Sequence, residues 1–150
     1  MIPRATALAC LYALVGWAFF TGLLVALGNV LLPAITRPVT PLVVVGLAAL
    51  TAVVVAGLTL DYFRRARRDD ASSALTLGVS LASIGLTLDA VLLLSTDFRY
   101  PNVEEQKTAT LAVLLLLGYA VAAVVPAIVA VLRAGRRRES TGYLPQRPPP

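Results

Sequence analysis

Apolar residues run along this chain in four long blocks, and the short stretches between them hold almost all of the charge. Each block reaches the roughly 20 residues that, at about 1.5 Å of rise per residue, cross a hydrocarbon core about 30 Å thick. The pattern predicts an all-α membrane protein, a four-transmembrane-helix antiparallel bundle, with helices at about residues 5–32, 40–60, 74–94 and 108–132. The first block continues well past the 7 to 15 or so apolar residues of a cleavable signal, so it is expected to be a retained helix. Residues 1–138 form one transmembrane domain in this reading. Residues 139–150, rich in Pro, Ser, Thr, Gly and Gln, are expected to be a disordered cytoplasmic tail.

The helix ends carry their own punctuation. Pro33 and Pro38 bracket a short loop, which predicts that helices one and two pair as a hairpin. Thr40 is expected to cap helix two ahead of Pro41, and Ser72 with Ser73 to cap helix three. Asn102, Glu104 and Glu105 suit an early start to helix four, because carboxylates are favourable at a helix N-terminus. Pro126 should kink that helix, and Gly135 should end it.

Composition excludes a water-soluble fold: 58% of the 150 residues are hydrophobic and 14% charged, against roughly half and a quarter in soluble domains. A single cysteine, Cys10, and the lack of histidine leave no ligand cluster for a metal or haem, so no cofactor is expected. There is also no nucleophile–base pair, paired carboxylate or phosphate loop, and an enzyme is not expected.

Charge adds orientation. Of the 13 basic residues, Arg4, Arg64, Arg65, Arg67, Arg68, Arg133, Arg136, Arg137, Arg138 and Arg147 fall on one side of a four-span topology, leaving Arg37, Arg99 and Lys107 on the other. The positive-inside rule then places both termini in the cytoplasm. The clusters Arg64, Arg65, Arg67, Arg68 and Arg136 to Arg138 suit anionic lipid headgroups, each contact being worth about 1 kcal/mol. Nucleic acid is not an expected partner despite the net charge of +5.

Helices in lipid associate through small residues and polar contacts, so the faces that carry these are informative. On helix three, Gly78, Ala82, Gly85 and Asp89 share one stripe, which turns Asp89 inward. Ala18, Gly22 and Asn29 share a stripe on helix one. Helix two has Ala48, Ala52 and Ala56 in a row, and helix four has Ala112, Tyr119, Ala123, Pro126 and Ala130 on one side. Depths counted from the helix ends put Asp89, Asn29 and Tyr119 near one level, predicting a single intramembrane polar cluster. A neutral Asp89 in such a cluster is structural glue, a titrating one reached by water is a proton or cation site, and Arg99 is a third candidate partner. Trp17 falls near mid-span, where a packing role is expected, and Tyr12 suits an interfacial belt.

Leu11-Tyr12 with Trp17, Tyr62-Phe63, Leu88-Asp89, and Tyr119 with Pro126 together resemble a family of small bacterial four-helix membrane proteins known as a domain of unknown function. That resemblance implies the fold and no particular activity. The expected function is that of a structural, assembly or interaction subunit in the cell membrane, as a homo-oligomer or beside another membrane subunit. The alternative is a small proton-coupled transporter that uses Asp89.

Overall fold

The computed structural model describes residues 4–34, 36–67 and 70–141, the stretch 137–141 for its backbone alone. The described chain consists of four long helices, α1 (Arg4–Leu31), α2 (Thr40–Ala66), α3 (Ala71–Ser95) and α4 (Thr108–Thr141), with one 3₁₀ turn, Glu105–Lys107, leading into α4. All four are long and apolar enough to cross a membrane. Their outward faces are apolar too, with Val30, Leu42, Val53, Leu116 and Val131 exposed. A long apolar run is best satisfied as helix, because every backbone donor and acceptor then bonds within the segment.

Several ends differ from what the sequence suggests. α2 continues to Ala66, since Asp61 and Arg65 pair along it at 2.9 Å and Tyr62 and Phe63 are buried; it stops where Arg67 turns left-handed (φ 54°). Thr40 is not the cap of α2. Val39 holds that position without a side-chain bond, while the Thr40 hydroxyl donates to Ala34 O at 2.7 Å and closes the preceding turn. Nor do Ser72 and Ser73 cap α3: the Asp70 carboxylate accepts from Ser73 N at 2.7 Å, and Ser73 is buried in the first turn. The early start of α4 is limited to the 3₁₀ turn. At its other end α4 runs through Gly135, which adopts no left-handed conformation to stop it, as far as Thr141. The rest of the expected tail, 142–150 with Arg147, lies outside the described residues.

Around the bundle the neighbours are α1 with α3, α3 with α4, and α4 with α2; α1 and α2 touch only slightly. The expected hairpin of α1 and α2 is therefore only loosely joined. At one end the Tyr12 hydroxyl donates to Asp61, Tyr12 and Tyr62 meet edge to face at 5.9 Å, and the Tyr62 hydroxyl reaches Ala5 O. Arg133 lies over the Phe63 ring at the same end, 5.8 Å from its centroid, so the start of α1 and the ends of α2 and α4 are gathered there with their arginines.

The contact between α3 and α4 depends on Gly78. A Cβ there would lie 2.6 Å from Ala123 O and 3.4 Å from Ala122 O, so the two backbones are in direct contact. Ala122 O is also the carbonyl that Pro126 has no N–H to bond. The bare Gly78 backbone approaches α4 where its ladder is interrupted, and Pro126 itself is wholly buried.

Buried apolar residues form two clusters. One, at the arginine end, includes Ala9, Ala13, Val55, Tyr62, Phe63, Leu77 and Ala130; the other, at the far end, holds Leu24, Leu32, Tyr100, Leu111 and Leu114. Between these layers lies the level of Asp89.

Candidate functional site

Asp89 is 5% exposed, on the face of α3 that the small residues turn inward. Its Oδ1 accepts from the Trp17 indole N–H at 2.8 Å, and its Oδ2 accepts from the Tyr119 hydroxyl. One carboxyl thereby joins α1, α3 and α4. Gly85, one turn before Asp89, makes room for this: a Cβ there would lie 2.6 Å from Tyr119 Cε1.

Of the three residues the sequence places together, the structure joins Asp89 and Tyr119 and leaves out Asn29. Asn29 lies twelve residues beyond Trp17, roughly 18 Å further along α1, and belongs to a separate lock at the far end. Its side-chain oxygen accepts from Glu104 N at 3.0 Å, and Lys107 Nζ donates to its backbone carbonyl at 2.7 Å. Asn102 Nδ2 donates to Val25 O and the Thr110 hydroxyl to Pro33 O. These groups satisfy carbonyls at the end of α1, and a cation there also suits the helix dipole.

The expected stripe on α1 is also displaced. Ala18 and Gly22 are exposed, and the helix packs through Ala9, Ala13, Gly16, Leu24 and Gly28 instead. This rotation brings Trp17 to Asp89. A tryptophan assigned to packing is thus a ligand of the buried carboxyl, and its position near mid-span, too deep for an interfacial belt, was the available signal. Ala48, Ala52 and Ala56 are half-buried on α2, whereas Ala112 and Ala123 on α4 are exposed and only Tyr119, Pro126 and Ala130 of that row turn inward.

Arg99 is exposed and makes no ion pair among the described residues, where the pairs are Arg65 with Asp61 and Lys107 with Glu104. Arg64, Arg65, Arg67 and Arg136 are exposed; Arg68 lies outside the described residues, as do the side chains of Arg137 and Arg138.

Beside Asp89 the four helices enclose a cavity of about 120 Å³. Its wall includes Gly16, Trp17, Phe20 and Thr21 of α1, Leu50, Thr51 and Leu58 of α2, Leu81, Gly85 and Asp89 of α3, and Leu114, Gly118 and Tyr119 of α4. The cavity is only partly enclosed, and Leu50 of its wall, on α2, is 55% exposed. Tyr100, 3% exposed, reaches this region from the far-end loop. Its hydroxyl lies close to Thr21 and makes no hydrogen bond among the described residues.

Comparison with family models, with curated proteins and with solved structures gives no match to this chain.

Proposed function

We propose that this chain is a multi-pass bacterial plasma-membrane protein, an antiparallel four-helix bundle with both termini in the cytoplasm, serving as a structural, assembly or interaction subunit. The observation that carries the reading is the Asp89 carboxyl itself, whose two oxygens are engaged by Trp17 of α1 and Tyr119 of α4. An intramembrane acid spent on tying three helices together is a bridging element. The exposed Arg64, Arg65, Arg67 and Arg136 support a cytoplasmic surface against anionic headgroups. Cysteine substitutions at Arg67 and Arg99, tested with an impermeant maleimide on intact cells, check the topology. Labelling at 99 and protection at 67 is expected, and the reverse overturns it.

One observation favours a second reading, a small proton-coupled transporter: the same carboxyl forms part of a cavity wall. Infrared difference spectroscopy of the carboxyl band, against an Asp89→Asn control in nanodiscs, separates the two. A carboxyl that stays in one protonation state throughout, with Asp89→Asn still inserted but less stable, supports the bridging role. Titration between about pH 5 and 8 supports the transporter.

A further inference from the structure

We propose that the mid-bundle cavity is a binding site for a small organic monocation, an ammonium group on an apolar body of one ring or a short chain. This goes beyond both functional readings, since it requires binding and not movement across the membrane.

The first argument is charge. Asp89 is buried without a cationic partner among the described residues, where both ion pairs lie at the ends of the bundle. A carboxylate has room for about four hydrogen bonds and Asp89 receives two, one on each oxygen. An ammonium N–H would complete the set and neutralise the charge at once.

The second argument is the character of the wall. Trp17, Phe20 and Tyr119 line the cavity beside the acid, and aromatic faces attract an organic cation within about 6 Å, an indole most strongly. Elsewhere the wall is mainly leucine, glycine and alanine. An inorganic cation needs a shell of about six oxygens. Here the nearby hydroxyls are few, and that of Thr51 is committed to Leu47 O. A cation that carries its own apolar covering has no such requirement.

Size and access agree. About 120 Å³ is somewhat smaller than the roughly 150 Å³ dry cavity known to hold a benzene ring, so one ring fits only by extending into the opening. The cavity is only partly enclosed, its wall includes the exposed Leu50, and two of the helices that line it, α1 and α2, make few contacts with each other. A ligand able to partition into the bilayer arrives from the side.

The chain has a single tryptophan, and it lies at this site, so its emission reports on the surroundings of the Asp89 cavity. Phenethylammonium is titrated into the full-length protein in phosphatidylcholine nanodiscs, with propylbenzene as the ligand in which a methyl replaces the ammonium. A saturable change in Trp17 emission is expected, at least tenfold weaker for propylbenzene. Two variants probe the two halves of the site. Asp89→Asn removes the charge. Gly118→Leu fills the cavity, since Gly118 lines it and a Cβ there meets nothing within 4 Å. Each is expected to weaken binding at least tenfold. A non-saturable response, equal binding of propylbenzene, or wild-type affinity in Gly118→Leu overturns the proposal. If Asp89→Asn does not fold, the other two comparisons decide. The titration reads binding alone, so its failure leaves the bridging role of Asp89 to the infrared experiment.

Discussion

The Trp17 indole nitrogen lies 2.8 Å from Asp89 Oδ1, joining α1 to α3 across 72 residues of chain. An indole N–H donates and never accepts, whereas a phenol does either. Trp17 can therefore only donate to Asp89, while the Tyr119 hydroxyl, which donates to Oδ2, is able to accept as well. The Trp17 side of the bridge thus has one direction of hydrogen bonding, and the Tyr119 side has two.

Trp17→Phe keeps a ring in place and deletes the donor. Hydrogen bonds between membrane helices are worth about 0.6 kcal/mol on average and up to about 1.7. With the lost ring volume added, the variant is expected to be about 1 to 2 kcal/mol less stable. Circular dichroism during denaturation in mixed micelles measures this, and a stability equal to wild type would falsify the bridge.

Two tyrosines at this level should respond in opposite ways to the same substitution. Tyr119→Phe removes a hydroxyl bonded to Asp89 and is expected to cost about 1 kcal/mol. Tyr100→Phe removes a buried hydroxyl that makes no hydrogen bond among the described residues, so stability should stay level or rise slightly. Paired thermal melts of the two variants provide the check. An equal loss in both would mean that Tyr100 is bonded after all.

The four helices were legible in the sequence because lipid requires long apolar runs, and the stripe Gly78, Gly85, Asp89 because three positions at helical spacing carry its signal. What periodicity does not contain is the rotation of α1 about its own axis. Ala18 and Gly22 made as plausible a face as Ala9, Ala13 and Gly16, and the choice between them decided whether Trp17 or Asn29 met the acid. Depth failed for Asn29 for a related reason. Counting from helix ends treats all ends as level, but the end of α1 is held by Lys107 and Glu104 of the segment before α4. The order of helices around the bundle was hidden too, since a short loop between α1 and α2 does not oblige them to pack along their length.

The lock at the far end predicts a specific pH dependence. The Glu104 carboxyl is held below the ordinary carboxylate range, first by the Gln106 side chain donating to it and then by Lys107. A depressed carboxyl contributes stability that is present above its unfolded value, about pH 4, and is lost as pH falls through the lower folded value. Glu104 is half-exposed and the contribution is small. The melting temperature of wild type should exceed that of Glu104→Gln at neutral pH, and the difference should vanish well below pH 4. Lys107→Met should be less stable across the whole range, because the bond from Lys107 to Asn29 O does not depend on the carboxyl.

Gly78 and Gly85 predict different failures from the same substitution. In Gly78→Ala the new Cβ meets Ala123 O at 2.6 Å, a backbone atom that moves only if α3 and α4 separate. The expected cost is about 1 to 3 kcal/mol, the usual range for overpacking. In Gly85→Ala the obstacle is Tyr119 Cε1, also at 2.6 Å but on a ring that can swing. The ring then moves, and its hydroxyl leaves Asp89. A double-mutant cycle separates the two cases. Combined with Tyr119→Phe, Gly85→Ala should cost less than the sum of the single changes by about the worth of the lost bond, roughly 1 kcal/mol, because both remove it. Gly78 lies seven residues from Gly85, about 10 Å along α3, so Gly78→Ala and Tyr119→Phe should add. Additivity in the Gly85 cycle would show that Tyr119 keeps its hold on Asp89 when the ring is displaced, and coupling in the Gly78 cycle would show that helix separation alone undoes the bridge.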